Sequence, residues 1–91
     1  MNWEVEYTES FGRWWASLTL EQRGRIDALV QVLERGGPLL GQARGGGPGA
    51  PAEQRLWGLR IEEEGIATEV LYRYDPARRV ILLVEGTCKF L

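Results

Sequence analysis

The side chains in this chain that can do chemistry are cationic. Arg60 and Arg73 sit in apolar-alternating runs, each on the side opposite the main apolar stripe, and Lys89 follows the last apolar run. In extended strands that alternation sends Arg60 and Arg73 to one exposed surface of a sheet, where Lys89, following the last strand, could meet them. Arginine and lysine placed in this way hold a phosphodiester through charge-assisted hydrogen bonds. They also stabilise charge developing on phosphorus, which is the electrostatic half of RNA cleavage without a metal. Exposed cations on a strand are more often only a solvated face, and periodicity alone leaves both readings open.

Other chemistries find little to work with. The chain has no histidine, so the commonest general base and metal ligand is missing. Its single cysteine, Cys88, excludes an intrachain disulfide and a cysteine-cluster metal site. There is no Ser-His-Asp set, no Cys-His pair and no spaced carboxylate motif, so neither a metal nor a cofactor is expected. A formal net charge of −2 means that any nucleic-acid role rests on a local patch. No apolar run reaches the ~18 residues of a membrane span, and residues 1–15 lack the order of a signal peptide. A cytoplasmic protein with no membrane partner is expected.

The 91 residues make one domain, 1–91, with a small core enlarged by four Trp, three Tyr and two Phe. Residues 66–85, IATEVLYRYDPARRVILLVE, read as a β-hairpin turning at Asp75-Pro76. In its first arm Val70, Tyr72 and Tyr74 alternate with Glu69, Leu71 and Arg73. The second arm, 80–84, is apolar throughout, as a central strand would be. A hairpin alone is marginal in water, so more strands and a covering helix are required.

Residues 2–7 alternate as a first strand. Thr8 caps a helix over 9–18 with Phe11, Trp14, Trp15 and Leu18 inward, the Trp pair being read as core. Thr19 and Gln22 form a capping-box pattern for a second helix over 20–35, with Ile26, Leu29, Val30 and Leu33 on its inner face. Gly36-Gly37-Pro38 stops it. Residues 37–52, GPLLGQARGGGPGAPA, show neither period and read as a long flexible loop; no Gly-Lys-Ser/Thr follows to make it a phosphate cradle. Residues 55–62 alternate as a further strand, and Glu62-Glu63-Glu64-Gly65 turns it into the hairpin to complete a three-strand meander. The class is therefore α+β: a small antiparallel sheet with two helices on one face and no encoded C-terminal helix. With one helical layer, the other sheet face around Leu71, Ile81 and Leu83 is expected to stay exposed or thinly covered.

The order of elements resembles the RelE/ParE superfamily of toxins from bacterial toxin-antitoxin pairs, closest to its phage-derived HigB-like group. The motifs that carry this are W-E-V-E-Y, L-E-R-G-G-P-L-L, L-W-G-L-R and, most specifically, V-L-Y-R-Y-D-P-A-R-R-V-I-L-L-V-E-G-T-C-K. The resemblance implies a metal-independent endoribonuclease that cleaves mRNA on the ribosome, or, as in a neighbouring branch, a protein that poisons DNA gyrase. It implies an antitoxin as partner; a second copy of the chain is the other candidate to cover the open face. Arg60 matches the arginine ending the family's Glu-Leu-Arg element, and Lys89 matches the lysine after the Gly-rich end of the last strand. Gly58 stands where an acidic residue is usual, and Glu69 where an arginine commonly precedes Val-Leu-Tyr; a glutamate there repels phosphate. With no group that titrates near neutrality, proton transfer would fall to Lys89, a tyrosine or the ribosome.

Overall fold

A computed structural model of the chain describes residues 2–45, 49–51 and 54–91. The elements run β1 (Glu4–Tyr7), α1 (Glu9–Ala16), α2 (Leu20–Gly36), a 3-10 turn (Pro38–Leu40), β2 (Gln42–Gly45), β3 (Leu56–Glu63), β4 (Ile66–Asp75) and β5 (Val80–Phe90). The strands form one sheet in the spatial order β1-β5-β4-β3-β2, with both helices on one face. The class is α+β, as the sequence indicates. The sheet is mixed, however, and not wholly antiparallel. Strands β2 to β5 are antiparallel to their neighbours, whereas β1 runs parallel to β5. Its partner lies more than 70 residues away, so no hairpin dictates its direction.

The local signals act as their residues require. The Thr8 hydroxyl accepts from the Phe11 amide at 3.1 Å and starts α1. Thr19 and Gln22 exchange both bonds of the capping box, at 3.2 and 2.9 Å. Gly37, at φ 88°, closes α2 by donating to the Leu33 carbonyl. Helix α1 ends at Ala16, short of the expected residue 18, because the Arg23 guanidinium takes up the Trp15 and Ala16 carbonyls at its end. The Asp75 carboxylate accepts from the amides of Ala77 and Arg78 in the β4–β5 turn. Phe11, Ile26, Leu29 and Leu33 from the helices meet Val70, Tyr72, Ile81 and Leu83 from the sheet to form the core. Each such side chain contributes roughly 1.5–3 kcal/mol when fully buried. All four tryptophans pack around this cluster, which bears out the core reading of Trp14 and Trp15.

Three further expectations change. The stretch 37–52 is not all loop, since it contains the 3-10 turn and the edge strand β2; its residues 46–48 and 52 lie outside the described residues. A four-residue strand that is half Gly and Ala is too short to show a period. Next, Ile81 and Leu83 do not line the open face. They pair with Tyr74 and Tyr72 and are buried under the helices at 0% and 3% exposure, while Leu71 and Leu82 take the open side. Finally, β5 continues past Val84 to Phe90, because Val84 is a β-bulge: Leu71 pairs with Glu85 and Tyr72 with Leu83, leaving Val84 unmatched.

That bulge inverts the alternation. Before it, odd-numbered Ile81 and Leu83 face the helices; after it, even-numbered Gly86 and Cys88 do, opposite Val70 and Thr68. Glu85, Thr87 and Lys89 are thereby turned to the open face. Thr8 pins the bulge, its amide donating to the Leu83 carbonyl at 3.0 Å and its hydroxyl to the Val84 carbonyl at 3.2 Å. Gly86 is required just beyond, since a Cβ there would overlap the Trp14 ring that lies on it.

Candidate nucleic-acid interface

The uncovered face of the sheet gathers the charged side chains, and strand register states who neighbours whom. One row reads Arg60, Glu69, Thr87 across β3, β4 and β5, and the next reads Glu62, Ala67, Lys89. Arg60 and Lys89 thus occupy adjacent rows of one exposed surface. Arg73 shares the face but lies four residues along β4 from Glu69, about 13 Å away at strand rise, beside Leu82. The register groups Arg60 with Lys89 and holds Arg73 apart from both.

Counter-ions define the electrostatics. The Arg60 guanidinium donates to its same-face neighbour Glu62 through Nη2 at 2.7 Å and Nε at 3.1 Å, in an exposed pair. Glu69 is the acceptor of a forked contact from Arg44, Nε to Oε1 at 3.2 Å and Nη2 to Oε2 at 3.4 Å. The Gln42 amide oxygen takes a third donor, Nη1, at 3.3 Å. The expected repulsion of phosphate by Glu69 is therefore offset at close range. Arg73 and Lys89 make no ion pair among the described residues.

Sequence reasoning missed Arg44. It is the unmatched residue of a second bulge, between Ala43 paired to Trp57 and Gly45 paired to Leu56, within the stretch that shows no period. The only signal for it was the absence of a side chain at Gly58. A Cβ there would lie 2.6 Å from a Glu69 oxygen and 3.0–3.1 Å from Arg44 atoms, so the Arg44–Glu69 pair crosses the sheet over a glycine. A cleft of about 310 Å³ beside it is lined by Gln42, Arg44, Gly58 and Arg60 among others. A larger one, about 380 Å³, opens on the helix side between β1, α1 and α2; its rim carries Asp27 and Glu34 and no basic residue, so it is remote from the cations.

Proton-transfer groups are scarce here. Tyr7, Tyr72 and Tyr74 all fall on the helix side by register with Leu83 and Ile81. Tyr72 is fully buried, donates its hydroxyl to the Pro38 carbonyl, and has its pKa pushed up to about 12 by burial. Among the described residues no group of three histidine, cysteine or acidic side chains is placed to hold a metal, and no helix is long and apolar enough to cross a membrane.

No family model matches the chain, and no curated protein matches its sequence. Solved structures do match in shape. An E. coli RelE toxin mutant in the free state superimposes with a TM-score of 0.67 at 16% identity, covering 94% of this chain and 82% of that one. The intact E. coli RelBE toxin-antitoxin complex gives 0.63 at 15% identity over 92% and 93%. The toxin-antitoxin complex RelBE2 of Mycobacterium tuberculosis gives 0.62 at 19% identity over 98% and 93%. At these identities the likeness speaks for architecture, and the chain has the fold of the RelE toxins.

Proposed function

We propose that this chain is the toxin-like member of a toxin-antitoxin pair, of the HigB-like group, and that it cleaves mRNA on the ribosome in the cytoplasm without a metal. The observation that carries this reading is the placement of Arg60 and Lys89 in adjacent rows on the uncovered face of a RelE fold. Two cations so spaced grip a phosphodiester and stabilise the charge that builds on phosphorus during attack by a neighbouring hydroxyl. Arg73, farther along the strand, extends the contact to the flanking backbone. Rate enhancement then comes mainly from orientation and charge stabilisation. Since every tyrosine projects to the helix side, proton transfer falls to Lys89 or to the ribosome. The partner is an antitoxin, as in the RelBE complexes with the same fold.

A second reading has its own support. Glu62 and Glu69 already occupy the guanidinium groups of Arg60 and Arg44. A face on which Arg44 and Arg60 are satisfied internally suits a toxin-fold protein that binds an antitoxin or a target such as DNA gyrase and cleaves nothing. Induced expression separates the two. Growth arrest with primer-extension stops on ribosome-bound mRNA supports the nuclease, and Arg60→Ala or Lys89→Ala should lower cleavage on the order of 10²-fold with the fold intact. A folded wild-type chain that leaves ribosomal mRNA uncut would leave the binding reading standing.

A further inference from the structure

We propose that the notch over Gly58, bounded by Arg44, Gln42 and Arg60, is a phosphodiester-binding site for single-stranded RNA, and that the Glu69 carboxylate is its built-in competitor. The inference rests on the nucleic-acid reading above and adds to it a residue and a regulating contact. The two-point contact of Arg44 with Glu69, at 3.2 and 3.4 Å, is the arrangement that a guanidinium offers equally to a carboxylate or a phosphate. Glu69 thus stands where two oxygens of a phosphodiester would sit. Gly58 leaves the space open, because any Cβ would collide with both partners. Gln42 holds the far side of the guanidinium at 3.3 Å, so the fork stays aimed when Glu69 swings away.

The surroundings fit an anion arriving from solvent. Arg60 is cross-strand from Glu69 yet pairs with Glu62, so it borders the notch with its charge only partly engaged. The adjoining cleft of about 310 Å³, which both arginines line, is at the lower end of the range for ligand pockets and admits a nucleotide's backbone. The Glu69 side chain is 16% exposed and that of Arg44 35%, so the pair is shielded enough to hold and open enough to exchange.

The test compares wild type, Glu69→Gln, Arg44→Ala and the double variant, each confirmed folded by circular dichroism. Two probes are used: a labelled 12-nucleotide single-stranded RNA followed by fluorescence anisotropy, and inorganic pyrophosphate followed by the Arg44 Nε–H resonance. Glu69→Gln should bind RNA about threefold to tenfold more tightly, and this gain should vanish in the Arg44→Ala background. If Arg44→Ala loosens β2, Arg44→Lys takes its place, since it keeps the charge and loses the fork. An equal gain with and without Arg44 would reduce Glu69 to general repulsion and overturn the notch while leaving RNA binding intact. Pyrophosphate shifting the Arg44 resonance in Glu69→Gln, with no RNA bound by any variant, would keep the notch and remove the RNA reading. Silence to both probes overturns the notch.

Discussion

Replacing Thr8 by alanine tests whether one hydroxyl governs both the start of α1 and the bulge that sets the open face. The hydroxyl accepts from the Phe11 amide and donates to the Val84 carbonyl, two half-buried bonds made at once. Loss of an N-cap costs about 1 kcal/mol. Loss of a donor to a half-buried carbonyl costs about 1 kcal/mol more. The sum, about 2 kcal/mol, corresponds to a fall in melting temperature of roughly 8–16 °C for a domain of this size. Thr8→Ser keeps both bonds and should stay within about 0.5 kcal/mol, whereas Thr8→Val keeps the shape, loses both bonds and should behave as alanine does. Urea unfolding followed by circular dichroism measures all three. If alanine and valine both fall within about 0.5 kcal/mol of the wild type, Thr8 is not what pins Val84, and the account of β5 must be revised.

Deleting Val84 removes the bulge without changing the faces: Glu85 then follows Leu83 directly and stays opposite Leu71, so Lys89 keeps the open side. What is lost is the bond from the Thr8 hydroxyl to the Val84 carbonyl, about 1 kcal/mol, so the ¹H–¹⁵N spectrum should keep its native dispersion. Tyr72 carries a pH prediction, since its folded pKa, about 12, lies above the ordinary value of 10.0. Its contribution is fully present below pH 10 and is lost as pH rises towards 12, by about 2–3 kcal/mol in all. Denaturation at several alkaline pH values should show this slope in the wild type and a shallower one in Tyr72→Phe, which also loses the bond to Pro38 at every pH.

What the sequence made legible is what repeats or caps. Thr8, Thr19 with Gln22, Gly37 and Asp75 each act through a bond to backbone a few residues away, so residue type and spacing suffice to place them. Strands of eight or more residues show their phase, and the faces of β3 and β4 followed from it. Bulges do not show in this way. An inserted residue shifts parity without changing composition, and it is stabilised by a contact distant in sequence, as Thr8 is from Val84. Lys89 therefore reached the predicted face by a route that alternation could not foresee, and Arg44 escaped notice because its strand is short and half Gly and Ala.

The β5 bulge also helps explain how a chain with net charge −2 can still present cations on one surface. Regular alternation along β5 would have placed Lys89 against the helices, whereas in β2 Arg44 shares the parity of Gln42, which pairs with Gly58 on the open side. The β5 bulge thus moves one positive side chain onto the face that already bears Arg60 and Arg73. The same face carries Glu62, Glu69 and Glu85, so its potential is decided by pairing more than by composition. A phosphodiester must then compete with carboxylates for the arginines while meeting Lys89 and Arg73 without an ion pair to displace. Exposed pairs of this kind are weak and screened by salt, and RNA binding weakens with salt as counter-ions are released. Raising ionic strength loosens both the competitor and the ligand, which makes the affinity of this face less salt-sensitive than its cations alone would give.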